Sequence, residues 1–199
     1  MNKKPTILAI SGSTRKTSSN LALIKTIAGL STELFQIDIF NGLTQLPHFN
    51  PDDDKENPPK TVSDFRNKLK EADGILICTP EYAIGVPGSL KNAIDWTVSS
   101  MEFSKKPVAL ITAGLSGEKA HESLLGTLLI LEAHMTTHTQ MVISSVKSKI
   151  DNNGKIVDEE TLKKTVQLID SLHELITKSE GILSAPFLVS KGIDSGTSL

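Results

Sequence analysis

One cysteine, Cys78, is present in 199 residues. A lone thiol excludes an intrachain disulfide and suits a reducing compartment, so the sequence reads as that of a cytoplasmic protein. Neither charge is in excess: 21 Lys+Arg stand against 23 Asp+Glu. That removes any global reason to expect nucleic acid or an anionic membrane as partner. Long hydrophobic runs are missing too. Lys3 and Lys4 precede an apolar stretch, but Ser11-Gly12-Ser13 breaks it too early for a secretion signal, and no other run approaches a membrane span. This length suits one domain with one ample core, read here as residues 1–180 with a tail at 181–199.

What is present begins at residues 6–20, where an apolar run, Ile7 to Ile10, reads as a buried strand. It runs into a loop with one glycine, the hydroxyls of Ser11, Ser13, Thr14, Thr17 and Ser18, and Arg15 and Lys16. A helix starts near Ser18 or Ser19, with Leu21, Ile24 and Ile27 on one face. Strand, hydroxyl-rich loop and helix N-terminus make a phosphate cradle, because free backbone N–H groups and the positive end of the helix dipole favour an anion. Absences narrow the ligand. The Walker loop needs a second glycine and a lysine before Ser or Thr, and the dinucleotide fingerprint needs glycines where Thr14 and Thr17 stand. A cysteine phosphatase needs a thiolate in the loop, and Cys78 lies elsewhere. What remains is a loop that wraps one terminal monophosphate without a metal, such as that of flavin mononucleotide (FMN). A plain helix cap at Ser18 or Ser19 leaves Arg15 and the other hydroxyls unexplained.

Further along, Leu34 to Phe40 reads as a second strand, and 41–59 as a long connection with Pro47, Pro51, Pro58 and Pro59. Its acidic run Asp52-Asp53-Asp54 lacks EF-hand spacing and reads as a solvated turn. Val62, Phe65 and Leu69 mark a helix; Gly74 to Cys78 is a third strand and Ser89 to Met101 another helix. Val108 to Thr112 is a fourth strand, followed by a helix over about Glu118 to Met135 that is apolar nearly all round from Leu124 to Leu131. Such a helix wants cover from two sides, and a second subunit would supply one of them. Thr139 to Ser144 is a fifth strand, Asn152-Asn153-Gly154 a turn, and Asp158 caps a last helix. Five apolar strands alternating with helices imply an α/β fold, a doubly wound parallel sheet with helices on both faces. Ligands then sit at the carboxyl ends of the strands, the edge to which the loops at 11–19, 79–88 and 113–117 all belong.

Those second and third loops suit a flat heteroaromatic ring. Tyr82 offers a wall, the amides of Glu81, Tyr82 and Ala83 offer donors, and Pro80 stiffens the turn. Gly85 and Gly88 are read as sites of close approach or positive φ, and Gly114 and Gly117 as letting the third loop lie against the ring.

Gly12-Ser13-Thr14-Arg15-Lys16-Thr17-Ser18-Ser19-Asn20 resembles the G-S-x-R-x-x-S-x-N loop of the NADPH-dependent FMN reductase family. Pro80-Glu81-Tyr82, with Pro87-Gly88-Ser89-Leu90-Lys91-Asn92-Ala93-Ile94-Asp95-Trp96, is similar to that family's second signature. The resemblance implies a flavodoxin-like five-stranded sheet in the order 2-1-3-4-5, binding FMN. It implies NADPH or NADH as co-substrate and a quinone, azo compound, chromate or free flavin as small-molecule electron acceptor. It implies a homodimer or homotetramer as well. Carried over by residue, Ser13, Arg15, Ser18 and Asn20 hold the phosphate with Ser11, Thr14 and Ser19 beside them. Pro80, Glu81, Tyr82, Ala83 and Ile84 line the ring, and Gly114, Ser116 and Gly117 close its far side. Many members carry Asn where this chain has Ala83, so only the backbone can serve there.

The expected chemistry is hydride transfer between stacked cofactors, with reacting atoms about 3–3.5 Å apart and no side chain needed as acid or base. No catalytic residue is assigned. An electron carrier without a substrate pocket is the alternative, and the small net charge of −2 speaks against it. Ser116 misses the hydrolase elbow because Glu118 replaces its last glycine, His134 and His138 lack a third metal ligand, and Cys78 reads as a core residue.

Overall fold

The computed structural model describes residues 3–151 and 154–178; the expected tail at 181–199 and Asn152 and Asn153 of the expected turn lie outside them. The elements run β1 (Thr6–Ser11), α1 (Ser19–Leu30), β2 (Gln36–Phe40), α2 (Lys60–Glu71), β3 (Gly74–Thr79), α3 (Gly88–Asp95), β4 (Val108–Ala113), α4 (Glu118–Ile130), β5 (Gln140–Ile143), α5 (Val146–Lys149) and α6 (Glu159–Thr177). All strand pairs are parallel and the order is β2-β1-β3-β4-β5, as the resemblance implies.

Alternation along the strands splits the core in two. Leu8, Ile10, Ile75, Ile77, Val108 and Leu110 face α2, α3 and α4, meeting Phe65, Ile94 and Leu124. Ile7, Ala9, Leu76, Cys78, Ala109 and Ile111 face α1 and α6, meeting Leu23, Ile27 and Leu168. Every residue of β3 and β4 is buried, as central strands covered on both faces must be. Among the described residues no helix is long and apolar enough to cross a membrane.

Two helices stop earlier than their sequence suggests. The expected helix over Ser89 to Met101 ends at Asp95. Beyond it the Thr97 hydroxyl donates back to the Ile94 carbonyl (2.7 Å), Ser99 bonds Asp54 and Ser100 bonds Glu102. These side chains offer the backbone an alternative to the helix. The helix expected to reach Met135 ends at Ile130. Glu132 takes φ 59°, its N–H donates to the Leu129 carbonyl, and Ala133 N–H donates to Leu128. That pair of bonds is a Schellman closure, made without the glycine that would have announced it. On α4 Leu124, Leu125 and Leu128, with the C-cap Leu131, are buried by the chain's own elements, and Ile130 stands 82% exposed.

The 41–59 connection is tied down rather than loose. Trp96 Nε1 and Asn92 Nδ2 both donate to the Pro47 carbonyl (2.9 Å each), and Phe49 N–H donates to Asn92 Oδ1 (2.7 Å). Phe49 packs edge-on to Trp96 at 5.1 Å. The acidic run is only partly a solvated turn: Asp54 pairs with the buried Arg66 at 2.7 Å and accepts from Ser99. Burial raises the Asp54 pKa, but the Ser99 hydroxyl and the Arg66 guanidinium outweigh it and hold the carboxyl below its ordinary value.

Candidate functional site

The loops after β1, β3 and β4 meet at the carboxyl edge of the sheet. In the first, Gly12 N–H donates to the Cys78 carbonyl (2.8 Å), pulling the loop onto β3. A Cβ at Gly12 would lie 2.2 Å from Thr79 Oγ1 and 2.7 Å from Thr79 Cβ, so only glycine fits this crossing. Ser11 donates to the Ser13 carbonyl, and Arg15 N–H reaches the Ser13 hydroxyl at 3.4 Å. Ser18 is the N-cap of α1, accepting from Asn20 N–H. Ser11, Ser13, Ser18 and Asn20 are buried, Ser19 is half-buried, and Thr14 and Arg15 are exposed. The first turn of α1 carries no acid. Arg66 is spent on Asp54, whereas Arg15 has no ion pair among the described residues.

The second loop opens on Pro80, which is buried, and tightens at Tyr82–Gly85, where each N–H donates to the other residue's carbonyl at 3.0 Å. This two-residue hairpin puts Ala83 at φ 49° and Ile84 at φ 61°. Positive φ therefore falls on Ala83 and Ile84, not on Gly85 or Gly88 as the sequence suggests. A left-handed β-branched residue is an outlier, and such strain gathers at functional sites. The hairpin consumes the Tyr82 amide, while those of Glu81 and Ala83 carry no hydrogen bond among the described residues. Tyr82 (47%) and Ile84 (75%) stand exposed.

Two bonds join the loops into one jaw. The Tyr82 and Ser13 hydroxyls share a hydrogen bond at 3.2 Å. The Glu81 carboxylate accepts from the Ser116 hydroxyl (2.7 Å) and from Ala120 N–H (2.9 Å) in the first turn of α4. The Ser116 bond and then the Ala120 bond hold the Glu81 carboxyl below its ordinary pKa. In the third loop Gly114 packs close to the second: a Cβ there would be 3.1 Å from Ser116 O and 3.7 Å from Glu81 N. A Cβ at Gly117 would press 3.0 Å from Thr112 Cγ2. Leu115 between them is 90% exposed.

Three features escape a reading by residue type. Glu81 contributes its carboxylate as well as its amide; the available signal was a helix opening on Gly117-Glu118 with no capping hydroxyl of its own, which leaves its N–H groups needing an outside acceptor. His121 bridges Thr112 (Nδ1, 3.0 Å) and Gln140 (Nε2, 2.9 Å), and burial pushes its pKa down against the Gln140 bond. The ring thereby ties the first turn of α4 to the end of β4 and the start of β5. Asn20 sends Nδ2 to the Ala113 carbonyl at 3.1 Å, joining the start of α1 to the end of β4. Cys78 is fully buried, and burial pushes its thiol far up, so it offers no thiolate.

With an open helix N-terminus beside an exposed tyrosine, the edge can hold an anionic group at one end and a flat ring at the other. Comparison with known proteins points the same way. The profile of the family described as NADPH-dependent FMN reductase matches residues 5–148. An NAD(P)H-dependent FMN reductase of Pseudomonas aeruginosa is 32% identical over 180 residues, 88% of this chain and 97% of its own. A 2-hydroxy-1,4-benzoquinone reductase of a Burkholderia species is 35% identical over 79% of this chain and 88% of its own. Among solved structures, the flavoenzyme FerB of Paracoccus denitrificans, an NAD(P)H:(acceptor) oxidoreductase, superposes with a TM-score of 0.71 at 26% identity, covering 87% of this chain and 98% of FerB.

Proposed function

The chain belongs to the NADPH-dependent FMN reductase family, and from that premise we propose how its residues divide the work of an FMN-dependent NAD(P)H oxidoreductase. The observation that carries the reading is the pairing of a helix N-terminus free of acid with a jaw closed by Ser13–Tyr82 and Glu81–Ser116. The cradle takes the phosphate: Ser13, Arg15 and Ser18 donate to it, Ser11 and Thr14 shape the loop, and Ser19 and Asn20 open α1 towards it. Pro80 to Ile84 form one wall for the ring, with Tyr82 supplying the flat surface and the Glu81 and Ala83 amides facing its polar edge. Gly114, Ser116 and Gly117 form the opposite wall.

FMN held here would supply the redox chemistry, the relay of hydride from NADPH or NADH to an oxidised acceptor. The chain's own task is to hold and orient. Helix dipole and Arg15 fix the anionic end, and the Tyr82 hairpin fixes the ring. No side chain acts as acid or base. The relatives' names favour a quinone as acceptor, and exposed Ile84 and Leu115 offer apolar surface for it. The same exposed rim suits a homodimer or homotetramer with the site beside the subunit boundary. A single buried thiol suits the cytoplasm, and one FMN-binding domain suits the chain.

Purified protein should carry a yellow flavin band that NADPH bleaches under nitrogen and that a quinone then restores. Flavin-loaded protein that NADPH never bleaches would overturn the reading.

A further inference from the structure

The family resemblance places Asn20 among the phosphate ligands, but its side-chain geometry argues otherwise. Asn20 is 3% exposed. The atom facing the Ala113 carbonyl must be Nδ2, because a carbonyl oxygen can only accept. Oδ1 is therefore the remaining polar atom, and it is buried without a hydrogen-bond partner. An orphaned acceptor in a native site calls for a donor from elsewhere. Phosphate oxygens at neutral pH are acceptors themselves and cannot supply one.

Asn20 lies between the two ends of the proposed site. Its backbone belongs to the phosphate cradle, where its N–H bonds the cap Ser18. Its side chain reaches the end of β4, from which the third loop departs. A ligand that spans from cradle to jaw passes this residue with its connecting stem. In FMN that stem is a polyol, a row of hydroxyl donors.

We infer that Asn20 Oδ1 accepts a hydrogen bond from a stem hydroxyl of the bound flavin, making Asn20 the residue that selects a hydroxylated stem rather than a phosphate ligand. This rests on the FMN reading above. The Ala113 bond is what makes the selection work, since it occupies Nδ2 and leaves Oδ1 as the acceptor still to be paired. A ligand with a bare alkyl stem would bury Oδ1 with no donor, and an unpaired buried acceptor is costly.

The test compares FMN with a flavin phosphate whose stem is a plain pentyl chain, by flavin-fluorescence titration of the flavin-free chain, in wild type and Asn20→Ala. Wild type should favour FMN by about tenfold or more. In Asn20→Ala that preference should shrink by about tenfold, while competition by inorganic phosphate stays within about twofold of wild type. Equal affinity of wild type for the two flavins would overturn the inference, and so would an Asn20→Ala chain that loses inorganic phosphate as steeply as FMN. The wild-type arm decides the matter even if the variant folds poorly. If wild type binds the pentyl flavin and FMN equally well, the FMN reading stands and only the role of Asn20 fails. If it binds neither, the FMN reading itself fails and the inference with it.

Discussion

Helices α1 and α4 both start at the carboxyl edge of the sheet, with the same backbone feature and opposite surroundings. The first turn of α1 contains no acid, is capped by Ser18, and follows the loop that carries Ser13 and Arg15. That of α4 receives two carboxylates: Glu81 on Ala120 N–H, and its own Glu118 on Gly117 N–H. Glu118 also accepts from Ser144, and its own amide and then that hydroxyl lower its pKa. A helix N-terminus is an anion site in either case. One brings its anion from within the chain, so it is structural; the other leaves the place open, so it is the candidate for a ligand. The helix dipole alone could not separate them.

Giving α1 an anion of its own should break the difference. Ser19→Asp puts a carboxylate in the first turn, beside the proposed phosphate. Two unit charges about 4 Å apart near a surface repel by roughly 4 kcal/mol; with solvent screening and a mobile side chain, the expected loss of FMN affinity is about a hundredfold. The flavin-free chain should become more stable, by about 0.3–1 kcal/mol. Fluorescence titration and thermal unfolding read the two opposed effects, and unchanged affinity would remove α1 as the phosphate end.

Next in size is the crossing that lets the first loop lie on β3. Gly12→Ala drives a methyl into Thr79, with an expected cost of about 1–3 kcal/mol in unfolding free energy and weaker FMN binding. Thr79→Ala removes the nearest struck atom, Oγ1, but leaves the Thr79 Cβ at 2.7 Å, so the double variant should recover only part of the loss. Strict additivity of the two changes would show that the contact is not the cause.

Opening α4 is the reverse experiment. Glu81→Gln keeps the acceptor for Ser116 but turns an amide NH2 towards Ala120 N–H, donor against donor. The third loop should loosen, with a lower melting temperature and severalfold weaker FMN binding near neutral pH. The sign of the pH dependence follows from the depressed pKa: the stabilisation is complete above the ordinary value of 4.5 and is lost as pH falls through the lower folded-state value. Wild type and variant should therefore converge in melting temperature on acidification, and a constant gap would assign the effect to something other than this carboxylate.

The sheet order and the three-loop edge were legible because apolar strand runs, helical spacing and two signatures all agree. Non-local bonds were not legible. Nothing in Asp52-Asp53-Asp54 distinguishes Asp54 from its neighbours until Arg66 folds against it. The Schellman stop at Glu132 was hidden because the left-handed residue is not glycine. Asn92 and Trp96 enter the sequence reading only as members of the family's signature, which does not say that they grip Pro47 and fix the 41–59 connection. Glu81 was read for its amide because residue type says nothing about which helix end lies opposite.

The smallest expected effect concerns how the two loops accommodate their bends. The first uses Gly12 where the backbone is crowded; the second bends through Ala83 and Ile84, both at positive φ. For an L-residue the left-handed region costs roughly 1–2 kcal/mol, and Asn tolerates it because its side chain bonds locally. Ala83→Asn should thus raise stability by about 0.5–1 kcal/mol, a shift of about 1–4 °C in melting temperature for a chain of this size. FMN affinity should hold or improve, since the hairpin is made more rigid in the same shape. Ile84→Gly should relieve comparable strain while removing an exposed apolar side chain from the rim, so stability should rise as quinone turnover falls. If Ala83→Asn lowered the melting temperature, the hairpin in solution would not hold this left-handed turn, and Tyr82 would lose the support that points it at Ser13.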